Sequence, residues 1–434
     1  MNFTRSRELQ ERLRKIIPAG GHTYAKGPDQ FPYESPGVLV RGSGCHVWDA
    51  DGNEFIEYGM GLRAVTLGHA YPPVVEAVRK ALPLGTNFTR PAVMELECAE
   101  RFLEIVDGAE MVKFTKDGST ADTAALKLAR KYTGRDLVAI CAEHPFFSYD
   151  DWFICTTTMD GGIPANVLPD TLRFRYNDAQ SLAALFEAHP GRIAAVFLEP
   201  ERSSVPAPGF LERVQALCRQ HGAVLVFDEM ITGFRWHIGG AQKEYGVVPD
   251  LSTFGKAVAN GFSVSVLCGK RELMRLGSRE REQDDVFLLS TTHGAEICSL
   301  AAAIGTMAVY RSEPVIEHLH RQGDRLSRGV KQAAARHGLE RHIELSGRAC
   351  NLLFGTKGPD GKPSQAFRTL FLQETIRRGV IMPSLVVSYS HSDEDIDRTI
   401  DAIDGAMSVY ARALEEGVDK VLVGPPSRTV FDRR

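Results

Sequence analysis

Two residues carry the chemistry that this sequence offers, Asp228 and Lys256. An unbroken apolar run from Ala223 to Phe227 has the length of a buried parallel strand and ends on two acids, Asp228 and Glu229. In open α/β sheets, ligands sit beyond the carboxyl ends of the strands, which is where Asp228 falls. Lys256 follows Gly255 inside Leu251-Ser-Thr-Phe-Gly-Lys-Ala-Val, whose small or apolar neighbours partly desolvate an amine. Desolvation disfavours the ammonium form and makes a nucleophilic amine available near neutral pH. Such an amine can hold an aldehyde as an imine, and an acid at a strand end can keep a pyridine nitrogen protonated. Those are the two requirements of pyridoxal phosphate chemistry. Taken singly, an Asp after a strand is also a turn former or helix cap, and a lysine is ordinarily surface solvation. The inference rests on the pair and on the elements around it.

An anion site precedes the pair. The short strand Met111 to Thr115 leads into Lys116-Asp-Gly-Ser-Thr120, and a helix is expected from Ala121 to Tyr132. A Gly-Ser-Thr turn opening a helix offers free backbone N–H groups and the positive end of the helix dipole to a phosphate. Gly118, Ser119 and Thr120 are therefore candidate phosphate ligands, with a simple N-cap as the competing use of the same residues. The next strand, Leu137 to Ile140, ends in Cys141-Ala-Glu-His-Pro-Phe-Phe-Ser148, where Phe146 or Phe147 can lie on a planar ring or pack in the core. Thr156 to Pro169 is a candidate lid.

The elements that must position these residues follow a βαβ rhythm. Strand Ala194 to Leu198, helix Phe210 to His221 and strand Ala223 to Phe227 make one unit with a right-handed crossover. Residues 262–268 read as a further strand, and Ser290-Thr-Thr-His-Gly294 opens a long helix from Ala295 toward Tyr310. Before this region lie an amphipathic helix over residues 5–16 and a hairpin from Val38 to Asp49. A turn at Asp49-Ala-Asp-Gly52, a strand from Glu54 to Tyr58 and helices from Pro72 and Val93 follow. After it, helices and short strands alternate in an α+β pattern. The fold class expected is α/β: a large domain with a mostly parallel sheet flanked by helices (59–310) and a smaller C-terminal domain (311–434). An N-terminal arm and hairpin (1–58) pack with the smaller domain.

Composition excludes several functions. With 434 residues, a net charge of −4 and no basic tract, binding to nucleic acid through a charged patch is not expected. The eight cysteines form no CxxC or Cys/His cluster in sequence, which argues against structural zinc and a disulfide scaffold and fits a reducing compartment. No apolar run of membrane-spanning length exists, and the charged N-terminus is unlike a signal peptide, so a cytoplasmic location is expected and no metal is assigned. Neither GxGxxG after an early strand nor GxxxxGK[ST] is found, which removes the dehydrogenase and P-loop readings.

With the residues in order, the chain resembles class III (fold type I) pyridoxal-phosphate aminotransferases, and within them the glutamate-1-semialdehyde aminomutase-like group. The resemblance rests on Trp48-Asp-Ala-Asp-Gly52, Leu67-Gly-His69, Gly118-Ser119, Glu199-Pro200, Asp228-Glu-Met-Ile-Thr-Gly-Phe-Arg235, Gly255-Lys256 and Thr291. It implies pyridoxal 5'-phosphate held by Lys256, Asp228 as partner of the ring nitrogen, Met230 packed under the ring, and Gly118 and Ser119 on the phosphate. It also implies that Thr291 reaches the phosphate of the other subunit, and hence a homodimer with shared sites.

Several positions depart from the family pattern. Phe146-Phe147-Ser148 stands for the usual Tyr-His-Gly, so Phe146 stacks without a hydroxyl. The acid normally found at position 120 is Thr120, and Gly294-Ala-Glu296 replaces Gly-Asn-Pro. Where aminomutases carry an arginine for the substrate carboxylate this chain has Tyr24-Ala-Lys-Gly27, and Leu62 stands for a tryptophan. A guanidinium fork and a lysine ammonium are not interchangeable. The resemblance therefore implies amino transfer from a small-molecule donor to a carbonyl acceptor such as a keto sugar or other biosynthetic intermediate. An aminomutase or amino-acid epimerase using the same machinery, and a non-catalytic binding protein on this fold, are the alternatives.

Overall fold

The computed structural model describes residues 1–430. The chain forms two compact units, one of residues 1–71 and 317–430 and the other of residues 72–316. The divisions fall between residues 71 and 72 and between 316 and 317, the second inside the helix Val315–Arg336.

The first unit begins with helix α1 (Thr4–Ile16), as its amphipathic spacing predicts. Strands β1 (Leu39–Ser43), β2 (His46–Asp49) and β3 (Glu54–Glu57) form an antiparallel meander. Asp49 makes the turn between β2 and β3 by accepting hydrogen bonds from the Asp51 and Asn53 backbone N–H groups.

The second unit holds β4 (Met111–Thr115), β5 (Leu137–Cys141), β6 (Thr171–Phe174), β7 (Ile193–Leu198), β8 (Val224–Asp228), β9 (Leu251–Phe254) and β10 (Ser265–Gly269) in one sheet. Their order is β4-β10-β9-β8-β7-β5-β6. The run from β9 to β6 is parallel, whereas β10 runs antiparallel to both of its neighbours. The strand expected at 262–268 starts later because Asn260 (φ 47°) and Gly261 (φ 96°) turn the chain, and the Phe262 N–H is spent on the Ala259 carbonyl.

Alternation along these strands buries both faces. On one face Ala195 and Phe197 of β7 and Val224 and Val226 of β8 pack with the apolar side of helix α2 (Gly118–Thr133). On the other, Val196, Leu198, Leu225 and Phe227 pack with helix α3 (Phe210–His221). Each fully buried Val, Leu or Phe stabilises the sheet by ~1.5–3 kcal/mol relative to exposure. This core fixes the carboxyl ends of β7, β8 and β9, on which the site is built. Helix α4 (Ile297–Ser312) starts two residues after the expected Ala295, because the Glu296 side chain caps it by accepting from the Cys298 and Ser299 N–H groups.

The first unit resumes with β11 (Ile343–Ser346) and β12 (Asn351–Thr356), helix α5 (Gln365–Arg377), β13 (Val380–Ile381), β14 (Leu385–Val386) and helix α6 (Asp393–Glu416). β13 pairs parallel with β3, and β12 pairs with β11 and β14. Asp395 near the start of α6 accepts from Cys45 Sγ (3.4 Å) and lies 3.0 Å from His46 Nε2, tying the helix to β2. All eight cysteines are free. Among the described residues no helix is long and apolar enough to cross a membrane.

Candidate active site

Asp228 is the last residue of β8, 3% exposed, with Oδ1 accepting from the Met230 N–H at 2.8 Å. That bond turns the chain sharply so that Met230 doubles back over the strand ends. The Met230 sulfur then lies between two glycines: a Cβ built on Gly118 would come within 2.8 Å of it, and one on Gly255 within 2.5 Å. Three segments thus meet on one thioether: the start of α2, the turn after β8 and the turn after β9.

Lys256 opens the third of these segments. It is half-buried at the end of β9 and has φ 42°, a left-handed conformation that costs a non-glycine residue about 1–3 kcal/mol. Strain of this kind persists where the surrounding structure over-determines it, and here it aims the lysine at a cluster of buried acids. The Lys256 charge acts on Asp228, Asp122 and Glu199.

The acids are unequal. Burial, and then Glu199, push Asp228 up to about 7, with Lys256 opposing. Burial and Asp228 push Asp122 well above the ordinary carboxylate range. Burial also works to raise Glu199, but Arg202, 2.6 Å from its Oε1, and His144 outweigh it and hold Glu199 below its usual value. Asp122 accepts from Thr253 Oγ1 at 2.6 Å through one oxygen, while its buried Oδ2 has no hydrogen-bond partner among the described residues. Burial and mutual repulsion thus favour the protonated forms of Asp228 and Asp122, and a positive group bound beside Asp228 would favour its carboxylate.

The neighbouring acid does something else. Glu229 is fully buried and is raised by that burial to about 7. Its carboxylate accepts from the Ala241 and Gln242 N–H groups (2.8 and 2.7 Å) and from Thr232 Oγ1, building the turn that follows.

The start of α2 corrects one expectation. Thr120 is not available as a phosphate ligand: Asp117 caps the helix and takes both the Thr120 N–H (2.8 Å) and its hydroxyl (2.9 Å). Helix α2 begins at Gly118, so Gly118 and Ser119 occupy its first two positions, whose N–H groups have no acceptor among the described residues. Ser119 Oγ accepts from the Tyr149 N–H at 3.2 Å, and its carbonyl accepts from Ser148 Oγ. This fastens the loop after β5 to the helix start.

The two loop phenylalanines separate cleanly. Phe147 is 1% exposed and packs against Phe153 and Phe197, whereas Phe146 is 41% exposed and meets Phe153 edge-on at 5.7 Å. In the lid segment Thr156 and Thr157 are buried and the residues that follow are largely exposed. Thr291 lies exposed on the turn before α4, where its carbonyl accepts from the Gly294 N–H, and its hydroxyl has no hydrogen bond among the described residues. Asp122, Glu199, Arg202 and His144 were not assigned to the site from sequence. Glu199-Pro200 at a strand end was the one signal that pointed to any of them.

A helix start with free N–H groups, glycines where a side chain would block approach, a buried acid whose carboxylate a cation would favour and a strained lysine fit pyridoxal phosphate. Together with the mostly parallel sheet they describe a pyridoxal-phosphate enzyme. Residues 32–407 match the family model described as aminotransferase class-III, and the chain belongs to that family. It is 32% identical to the glutamate-1-semialdehyde 2,1-aminomutase of Thermomicrobium roseum, over 95% of this chain and 100% of that one. Among solved structures it is similar to the FumI protein of Sphingopyxis sp. MTA144 in its PLP internal aldimine form (TM-score 0.87, 30% identity, 95% and 98% of the two chains). It is also similar to an omega-transaminase of Sphaerobacter thermophilus (TM-score 0.84, 26% identity, 94% and 98%). The protein is a pyridoxal-phosphate-dependent class III enzyme of amino-group transfer.

Proposed function

We propose that this chain moves an amino group from a small-molecule donor to a separate carbonyl acceptor, with Lys256 and Asp228 as the catalytic residues. The observation that supports this most is the meeting of Lys256 with the acids Asp228, Asp122 and Glu199 beside Met230. When bound, pyridoxal phosphate supplies the electron-accepting ring on which amino transfer depends. Lys256 anchors the cofactor and carries a proton on Nζ to and from the reacting carbon. Asp228 holds a proton against the ring nitrogen, and the positive charge it gains there returns the carboxyl from about 7 toward its ordinary range. Asp122, whose Oδ1 accepts from Thr253 Oγ1, stands beside Asp228, and burial and the Asp228 charge favour its protonated form. Gly118 and Ser119 donate backbone N–H groups to the phosphate, Met230 packs under the ring, and Phe146 offers its exposed face to the other side.

The working protein is a homodimer in which Thr291 completes the phosphate site of the other subunit, and it works in the cytoplasm. Residues 72–316 make up the cofactor-binding domain. The curated relatives are named as aminomutases, which makes isomerisation of one substrate the second reading. The position of Lys26 and Leu62 where those enzymes carry Arg and Trp favours net transfer, since a bidentate hold on the intermediate is replaced by a flexible ammonium and an open wall. Single-turnover spectroscopy separates the two. Glutamate or another common donor should convert the cofactor to its aminated form, and a keto acceptor should restore it. Efficient turnover of glutamate-1-semialdehyde to 5-aminolevulinate with no second substrate would replace this reading with the aminomutase.

A further inference from the structure

The Cys45 thiol, the His46 imidazole and the Asp395 carboxylate each offer one ligand atom, and these atoms lie within 4.8 Å of one another. Asp395 Oδ2 is 3.4 Å from Cys45 Sγ, and Oδ1 is 3.0 Å from His46 Nε2. All three residues belong to the unit formed by residues 1–71 and 317–430, and none of them is part of the Lys256 cluster.

Two local devices bring them together. Neighbouring residues of a strand point to opposite faces, so Cys45 and His46 would ordinarily diverge. Ser43 pairs with His46, however, and Gly44 (φ 58°) and Cys45 form the tight turn between β1 and β2, which frees Cys45 from that alternation. Asp395 is delivered from the first turn of α6 by a reciprocal cap. Its N–H donates to Ser392 Oγ (3.1 Å), and its Oδ2 accepts from the Ser392 N–H (3.0 Å) and hydroxyl (2.6 Å). The carboxylate is thereby held in one orientation.

His46 carries a further mark. Beyond its other nitrogen, Glu54 Oε1 lies 2.8 Å from Nδ1, so the imidazole stands between two carboxylates. The contact is ionic rather than an aligned hydrogen bond. A carboxylate behind the second nitrogen is what orients a metal-bound histidine. Cys45 and Asp395 are buried, whereas the His46 side chain is 21% and that of Glu54 48% exposed, which leaves an approach from solvent on the histidine side.

Tetrahedral zinc bonds of about 2.0–2.3 Å set ligand atoms roughly 3.3–3.8 Å apart, close to the spacings found here. The donor set also selects among cations. Thiolate and imidazole suit zinc, whereas magnesium and calcium take oxygen ligands. Three protein ligands leave the fourth corner of the tetrahedron to water.

We propose that Cys45, His46 and Asp395 bind a zinc-type divalent cation, which clamps the start of α6 to the turn between β1 and β2. On uptake Cys45 gives up its thiol proton and His46 its Nε2 proton, both to solvent. Sulfur, nitrogen and one carboxylate oxygen then each donate a lone pair to the ion. Two protons leave for one dication, so the local charge is unchanged, and Nδ1 keeps its proton against Glu54.

Titration of the cofactor-loaded, full-length protein with Zn2+ after chelator treatment tests the proposal. Calorimetry should show one ion per chain, Mg2+ should not compete, and the melting temperature should rise with added Zn2+. Co2+ in place of Zn2+ should give the visible bands of a tetrahedral thiolate complex at wavelengths beyond those of the cofactor. Cys45→Ser and His46→Gln should each weaken Zn2+ binding by at least about tenfold and abolish or shift the cobalt bands. Glu54→Gln, an exposed change that leaves all three ligands in place, should weaken it about tenfold and serves if the buried variants do not fold. Absence of binding at micromolar Zn2+, Zn2+ affinity unchanged in the Cys45, His46 or Glu54 variants, or cobalt bands that survive Cys45→Ser would mark an adventitious ion only and overturn the proposal.

Discussion

Asp228 and Glu229 are adjacent in sequence, both buried and both raised to about 7, yet they serve different structures. Asp228 faces Lys256 and the acids Asp122 and Glu199, whereas Glu229 turns away and satisfies the N–H groups of Ala241 and Gln242. Substitution should therefore separate them. Asp228→Asn should keep the fold and bind cofactor, and lose roughly three orders of magnitude in the half-reaction, ~4 kcal/mol of barrier. Glu229→Ala strands three buried donors, the Ala241 and Gln242 N–H groups and the Thr232 hydroxyl, at about 1–3 kcal/mol each, and should lower stability with little change in turnover of the folded fraction. Stopped-flow spectroscopy and urea melts on both variants give the comparison. Equal losses of turnover would show that the two acids act together.

The placement of the Met230 sulfur predicts a steric test of the phosphate turn. Gly118→Ala would put a methyl group within 2.8 Å of that sulfur and 3.2 Å of Cε and Cγ. The end of a methionine side chain can move, so the fold should survive while Met230 is driven toward the ring position. Cofactor affinity should drop about tenfold or more, and Met230→Ala in the same chain should restore part of it. Absorbance titration with pyridoxal phosphate measures both. An unchanged affinity in the single variant would place the phosphate elsewhere.

Glu296 supplies a pH dependence. Burial acts to raise its carboxyl, but hydrogen bonds from Ser299 and Cys298 outweigh it and bring it down to about 2. A folded-state pKa below the unfolded one contributes stability that is fully present above about 4.5 and is lost as pH falls toward 2. The urea midpoint of the parent protein should accordingly fall more steeply between pH 5 and pH 3 than that of Glu296→Gln. Parallel curves would mean that the cap contributes nothing through its charge.

How far the sequence carried this far depends on the reach of the interaction. Asp228 and Lys256 were legible because each follows a short apolar strand, so that local pattern alone places it at a sheet edge. Strands β5 and β7 were likewise legible from unbroken apolar runs, and helix α3 from apolar residues at helical spacing. Asp122 was not, because it reads as one more polar position on an alanine-rich helix, and only the fold brings it to Asp228. Thr120 was misassigned because a cap and a phosphate turn use the same residue types, and Asp117 decides between them at close range. The start of α4 was missed because glutamate is an uncommon cap. Met60, Gly61, Leu62 and Arg63, four successive left-handed residues, had a single glycine to announce them.

Subunit sharing has its own test. Lys256→Ala and Thr291→Ala proteins, each inactive alone, should regain activity when mixed and refolded, since one site of the heterodimer then carries neither change. About a quarter of parent activity is expected if subunits assort at random, half of the dimers being mixed and each having one intact site of two. Sedimentation of the parent protein should give a dimer, and a fully active monomer would end this proposal.

Every role assigned to the site depends on Lys256 being the residue that holds pyridoxal phosphate. Borohydride reduction of the cofactor-loaded protein, followed by proteolysis and mass mapping of the labelled peptide, measures this directly. The account predicts a single phosphopyridoxyl group on Lys256, absent from Lys256→Ala. A label on any other lysine, or an undiminished label in Lys256→Ala, would contradict it.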